Sequence, residues 1–229
     1  NAYIKIFIDG VEQPDVVLTK ANQTVTLAEG LDPNSTHTVR VVKRSNARSS
    51  TAALVSLKLN DGEKLAPPAD KARLIEFVGD SITEGVLIDM DYHQPGEVLS
   101  YVDQNNRVYQ DDVTATYAWL TAEKLNLRPI FMGYGAVGVT HSGMGAVPKA
   151  DEAYPYNFDN SPITHKNCDY IVINHGANDR WGALENYLNN YEKLLDVIIK
   201  MNPDSKIVSL SAFCGAFHEE LGEFIKEYN

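Results

Sequence analysis

Cysteine is scarce in this sequence: two thiols among 229 residues are too few for a disulfide framework. Cys168 precedes one apolar strand pattern and Cys214 follows the next. Parallel strands would put the two thiols at opposite ends, beyond the roughly 7 Å a bridge can span, so both read as small buried hydrophobes. No uncharged apolar run approaches the roughly 18–20 residues that cross a bilayer. No signal sequence is visible either, which says little about compartment, because the chain opens at Asn1 without an initiator Met and reads as processed or as a fragment. Basic residues are the minority charge: 20 Lys and Arg stand against 31 Asp and Glu, a formal net charge of −11. Such a surface repels phosphate backbones and anionic headgroups, so neither nucleic acid nor membrane is an expected partner. Zinc-type Cys/His spacings, Walker and dinucleotide glycine patterns and calcium loops are missing, and no metal or cofactor is expected.

What is present is enough apolar material, 44% of residues, to build a sizeable core. The pattern changes character near residue 65. Before it, short runs alternate with a period of two: Tyr3–Ile8, Thr24–Leu27, Thr36–Val41 and Leu54–Leu59, with Asp9-Gly10 and Asp61-Gly62 as hairpin signals. These predict an antiparallel sheet belonging to a partial, jelly-roll-like β-sandwich over residues 1–66. The linker 67–72 opens on Pro67-Pro68, which cannot continue a ladder. From 73 to 229, apolar strand patterns at Leu74–Val78, Pro129–Met132, Tyr170–Asn174 and Lys206–Leu210 alternate with helical patterns at Ala115–Leu127, Ala183–Met201 and His218–Tyr228. Alternation of this kind implies a parallel sheet flanked by helices. The polar stretch 88–112 reads as a long loop over one end of that sheet.

Ligands of open parallel sheets bind at the carboxyl ends of the strands, and here those ends carry glycines with polar residues. The first is Gly79-Asp80-Ser81, the second Gly133–Thr140, the third His175-Gly176-Ala177-Asn178-Asp179 and the fourth Ala212–His218. A hydroxyl at Ser81, a side-chain amide at Asn178 and a backbone N–H at Gly138 would suit acyl transfer through a tetrahedral intermediate, with one nucleophile and several donors to its oxyanion. Asp80 is expected to anchor its turn, and Asp179 to cap or brace the third turn. Trp181 stands equally well as a platform for a sugar ring or as core. Arg180 would meet an anion or a carboxylate of its own chain, and Tyr154–Phe158 would shape the mouth of a cleft.

The Gly-Asp-Ser and Gly-Ala-Asn-Asp blocks resemble the SGNH (GDSL-type) hydrolase superfamily from about Arg73 onward, with Ser81 as nucleophile and Gly138 and Asn178 as oxyanion donors. The resemblance implies a three-layer α/β/α, flavodoxin-like fold. With a β-rich region joined through Pro-Pro to Ile75–Thr83, the chain further resembles carbohydrate esterase family 2, which implies removal of acetyl groups from cell-wall polysaccharide and an extracellular or cell-surface location. The superfamily's Asp-x-x-His block, which carries the general base, is not found before Asn229; truncation is the expected reason. Among the six histidines, His37 and His165 read as surface residues and His93 as a loop residue without a partner. His141 and His175 read as partners of nearby backbone, and His218 as the best substitute base within the chain. Two alternatives stay open: a carbohydrate-binding or inactive homologue, and a hydrolase of lipid or thioester acyl groups. The sequence fixes no oligomeric state.

Overall fold

The computed structural model describes residues 2–45, 51–59, 66–89, 107–158, 160–164 and 167–228. Its strands are β1 (Ala2–Ile8), β2 (Val11–Glu12), β3 (Val16–Leu18), β4 (Val39–Lys43), β5 (Leu74–Gly79), β6 (Arg128–Gly133), β7 (Tyr156–Phe158), β8 (Ser161–Pro162), β9 (Tyr170–Asn174) and β10 (Lys206–Ser209). Its helices are α1 (Ser81–Glu84), α2 (Arg107–Gln110), α3 (Tyr117–Lys124), α4 (Ala150–Ala153), α5 (Leu184–Met201) and α6 (His218–Glu227). The chain forms two compact units, Asn1–Asp70 with Leu87–Thr114, and Lys71–Val86 with Ala115–Asn229. The expected division at 1–66, 67–72 and 73–229 is contiguous, whereas the first observed unit takes chain from both sides of the Ser81 turn.

In the first unit β1 is the centre of an antiparallel sheet. It pairs with β2 through Phe7 and Ile8 and with β3 through Ala2–Ile4, and β4 runs along its other edge from Ile4 to Ile8. Asp9-Gly10 makes the predicted turn, with both residues at positive φ. Of the other predicted strands, Thr24–Leu27 and Leu54–Leu59 are not strands, and Thr36–Val41 shifts to Val39–Lys43. Leu54 and Val55 are 82% and 80% exposed: alternation specifies a face, but a strand needs a neighbouring edge to pair with. Asp61-Gly62 lies outside the described residues. The antiparallel strands of this unit form one sheet among the described residues.

A buried ion network explains why Leu87–Thr114 joins this unit. The Arg44 guanidinium, 2% exposed, meets Asp15 at 2.6 Å, Asp89 at 2.7 Å and Asp112 at 3.4 Å, and donates to the Asp111 carbonyl at 3.1 Å. Asp112 also faces Lys5 at 3.1 Å, and the Asp111 carboxylate accepts the Leu87 N–H at 2.9 Å. Charges so buried need this many partners to offset desolvation. The described ends of the stretch expected as a loop over the sheet therefore pack into the first unit.

The second unit is a parallel sheet ordered β10-β9-β5-β6, as the alternating pattern requires. Side chains of β5 alternate between two cores. Ile75 and Phe77 pack with Val172, Ala118 and Ala122 of α3 on one face. Val78 packs with Ile171, Ile173 and the Tyr187, Tyr191, Leu194, Leu195 and Ile198 stripe of α5 on the other. That stripe, at spacings of three and four, is what makes α5 a helix with one buried face. Asn202 caps its end, and Pro203 follows. Among the described residues no helix is long and apolar enough to cross a membrane.

Candidate active site

Strand β5 delivers Gly79 into a space with no room for a side chain: a Cβ there would lie 2.2 Å from Thr83 Oγ1 and 2.9 Å from the Asn174 carbonyl. Gly133, its partner on β6, is equally confined, with Glu84 N 2.5 Å from a notional Cβ. The turn that follows is therefore pressed against the strand ends. Asp80 is the N-cap of α1, its Oδ1 accepting the Ile82 N–H at 2.9 Å, as expected of its turn-anchoring role. Ser81 is the first helical residue and half-buried. Gly85, at φ 87°, ends the helix in the left-handed conformation. Thr83 inside the turn hydrogen-bonds to the Tyr117 hydroxyl of α3 at 2.9 Å.

The third turn leaves β9 through Gly176, whose φ of 132° excludes most side chains. It carries Asn178 back toward the first. Asn178 Nδ2 donates to Asp80 Oδ2 at 3.2 Å and to the Val137 carbonyl at 2.9 Å. One amide thus touches the residue before Ser81 and the residue before Gly138, gathering the three sequence blocks at one place.

Asp179 completes the link. It was expected to brace its own turn; its carboxylate instead holds the second loop, accepting the Val139 N–H at 3.1 Å, the Thr140 N–H at 2.9 Å and the Thr140 hydroxyl at 2.6 Å. Gly138 makes that approach possible, because a Cβ there would fall 2.6 Å from Asp179 Oδ1. Its own N–H, expected to face an oxyanion, donates to the His141 carbonyl at 3.1 Å. Thr140 carried no signal in the sequence, since a threonine two residues after a glycine has nothing to mark it.

The electrostatics of the site are unusual for carboxylates. Asp80 is fully buried, and burial pushes its pKa up to about 6, with the charge of Asp179 adding to the rise. The Ile82 N–H works against it. Tyr117 is pushed up to about 12, first by burial. His175, also buried, is pushed down to about 4 by desolvation. It was expected to bond to nearby backbone, yet its Nδ1 has no hydrogen-bond partner.

None of the described histidines hydrogen-bonds to Ser81. His218 Nδ1 lies 2.6 Å from Ser211 Oγ, and His141 Nδ1 is 3.2 Å from Thr140 Oγ1 and 3.7 Å from Asp179. His37 sits in the first unit, paired with Asp9 at 2.7 Å. His93 and His165 lie outside the described residues. Trp181 is not core: it is 84% exposed, with the Arg180 guanidinium 5.0 Å from its ring centroid. Arg180 donates to the Ala177 carbonyl rather than meeting a carboxylate. Tyr154 is buried, not at a cleft mouth; its hydroxyl donates to Glu76 at 2.6 Å. Cys168 is buried as expected, but Cys214 is exposed, and both are free. Among the described residues no group of three His, Cys, Asp or Glu side chains is placed to hold a metal ion.

Residues 1–68 match the family model described as carbohydrate esterase 2 N-terminal. The chain as a whole is 27% identical over 215 residues to a cellulase/esterase, CelE, of Acetivibrio thermocellus, a match covering 90% of this chain and 25% of that protein. It is 27% identical over 220 residues to an acetylxylan esterase / glucomannan deacetylase of Cellvibrio japonicus, covering 91% of this chain and 58% of that one. The chain therefore spans a quarter to somewhat over half of these relatives. Among solved structures, a family two carbohydrate esterase from Clostridium thermocellum in complex with cellohexaose superposes with a TM-score of 0.77 at 22% identity, over 99% of this chain and 70% of that one. A family two carbohydrate esterase from Cellvibrio japonicus gives 0.70 at 21%, over 99% and 68%. The chain resembles carbohydrate esterase family 2 in its N-terminal region and along most of its length, and the solved structures share its fold.

Proposed function

We propose that the chain carries the nucleophile and oxyanion side of a serine esterase that removes acetyl groups from carbohydrate. The observation that supports the reading most is the Asn178 amide, 3.2 Å from the Asp80 carboxylate and 2.9 Å from the Val137 carbonyl, because it brings a side-chain donor to the residue preceding the nucleophile. Ser81 Oγ attacks the acetyl carbonyl, and its proton passes to a general base, a histidine in the mechanism the family resemblance implies. The tetrahedral oxyanion accepts from the Ser81 N–H, which the α1 ladder leaves unused, and from Asn178 Nδ2. Gly138 serves chiefly by letting its loop lie on Asp179; its N–H would be shared with the His141 carbonyl. The alcohol leaves with the proton, and water then releases acetate from Ser81.

The substrate class comes from the relatives, one of which is an acetylxylan esterase / glucomannan deacetylase. The exposed Trp181 beside Arg180 offers a flat apolar face of the kind that stacks on sugar rings. The finer assignments go with this reading: a three-layer SGNH architecture for the second unit, a jelly-roll-like sandwich for the first, and an extracellular or cell-surface location. Turnover of a chromogenic acetyl ester by the protein and its Ser81→Ala variant tests the proposal. Loss of turnover with an unchanged fold is expected, and activity that survives the substitution overturns it.

A further inference from the structure

One hydroxyl decides which nitrogen of His141 carries its hydrogen. Thr140 Oγ1 lies 2.6 Å from Asp179 Oδ1 and 3.2 Å from His141 Nδ1. Two oxygens so close need a hydrogen between them, and the Asp179 carboxylate, which already accepts the Val139 and Thr140 N–H groups, has none to give. The hydroxyl therefore directs its single hydrogen at Asp179. Toward His141 that oxygen can only accept, so Nδ1 is the protonated nitrogen of the neutral ring. Asp179 Oδ1, 3.7 Å from Nδ1, favours the same form.

Nε2 is left with its lone pair. Among the described residues nothing hydrogen-bonds to it, and the side chain is 48% exposed. The ring lies on Gly138: a Cβ at that glycine would stand 2.7 Å from Cε1 and 2.9 Å from Nδ1. The Gly138 N–H donates to the His141 carbonyl at 3.1 Å, which closes the loop and keeps the ring in place. Val137, one residue earlier, accepts the Asn178 amide at 2.9 Å. His141 thus stands on the loop that Asn178 grips, and the one free nitrogen it brings there is an acceptor.

An acceptor in that place selects a ligand atom that carries its own hydrogen. The buried Asp179 carboxylate behind the ring disfavours an anion. In a carbohydrate ester the group that fits is a hydroxyl. We propose that His141 Nε2 accepts a hydrogen bond from a free hydroxyl of the sugar that bears the acetyl group, so that the site prefers partly acetylated sugars to fully acetylated ones. This preference deepens the esterase reading and rests on it; the tautomer of the ring does not.

Nitrogen NMR of the His141 ring at pH 8 reads that tautomer directly. Hydrogen on Nδ1 is expected, and hydrogen on Nε2 in the parent protein overturns the proposal. In the Ser81→Ala protein, used so that the ester is not consumed, a mono-O-acetylated methyl xyloside is expected to move the Nε2 signal. Its fully acetylated counterpart is expected to leave the signal in place. An Nε2 signal that ignores the first sugar, or answers both alike, overturns the proposal as well. In turnover, the ratio of kcat/KM for the first sugar to that for the second is expected to fall about tenfold in His141→Ala, as one hydrogen bond is lost. The change should lie mainly in KM. An unchanged ratio overturns the preference, and because both rates come from one variant, a general loss of activity cancels. If the parent protein turns over no acetyl ester, the esterase reading fails, while the tautomer and the Nε2 response to sugar still decide the role of His141.

Discussion

The hydroxyl of Tyr154 donates to the carboxylate of Glu76 across 2.6 Å inside the core, and Asn202 Nδ2 donates to the same hydroxyl at 2.9 Å. A carboxylate in the middle of β5 is tolerated only because such donors reach it. The network holds the strand that feeds Ser81 against α4 and the end of α5, at the face opposite α3.

Tyr154→Phe removes a donor from a buried acceptor without opening a large cavity. Unfolding free energy, measured by urea titration, is expected to fall by about 1–3 kcal/mol. Glu76→Gln keeps an acceptor oxygen for the tyrosine and is expected to cost less than Tyr154→Phe. A Tyr154→Phe protein as stable as the parent would mean that the hydroxyl contributes nothing beyond packing.

Asn178→Ala is expected to reduce kcat for an acetyl ester by about 10²–10³ if the amide donates to the oxyanion. KM should change little, because the bond strengthens only as charge develops. A rise in KM alone would place Asn178 in ground-state binding.

At Gly138 a methyl group would enter the space held by Asp179 Oδ1 and the His141 ring. Gly138→Ala is therefore expected to displace the second loop and weaken the three bonds Asp179 receives from Val139 and Thr140. Hydrogen exchange at the Val139 and Thr140 amides should accelerate markedly, and unchanged protection there would rule out the crowding.

Two buried groups give opposite slopes to stability against pH. Asp80 holds its proton up to about 6 in the fold, against 3.8 when exposed, so the folded state binds more protons in that window and stability falls as pH rises from about 4 to 6. His175 is neutral down to about 4, against 6.5 when exposed, so stability rises as pH goes from about 4 to 6.5. The two nearly cancel, each on the order of 3 kcal/mol. Urea titrations across this range should show Asp80→Asn gaining on the parent as pH rises, and His175→Gln losing ground. Parallel curves would mean that neither group titrates as its burial implies.

The parallel sheet could be read from the sequence almost residue by residue, because β5 and β9 are buried, largely apolar runs bounded by turn residues and β10, though more exposed, has the same short apolar pattern. The long helix α5 was legible through Tyr187, Tyr191, Leu194 and Ile198 at helical spacing. The first unit was not. Leu54–Leu59 alternates as cleanly as Tyr3–Ile8, yet only the latter finds strands on both edges. Pairing is a long-range fact that period cannot express. Of the site, Ser81 and Asn178 announced themselves by flanking glycines and by following buried strands. Their common neighbour Asp80, and the support Asp179 gives to Thr140, depend on contacts 98 and 39 residues apart in the chain, for which local sequence holds no sign.

Arg44 has one further consequence. Its partners Asp89, Asp111 and Asp112 come after the Ser81 turn in the sequence, although Arg44 itself comes before it. Scissors placed at the paired prolines would leave a buried guanidinium with Asp15 as its sole remaining carboxylate among these. The N-terminal piece is thus not a bead to be unstrung and moved to another protein: gene segments that encode it must carry the nucleophile's turn along, as a page carries whatever is written on its back.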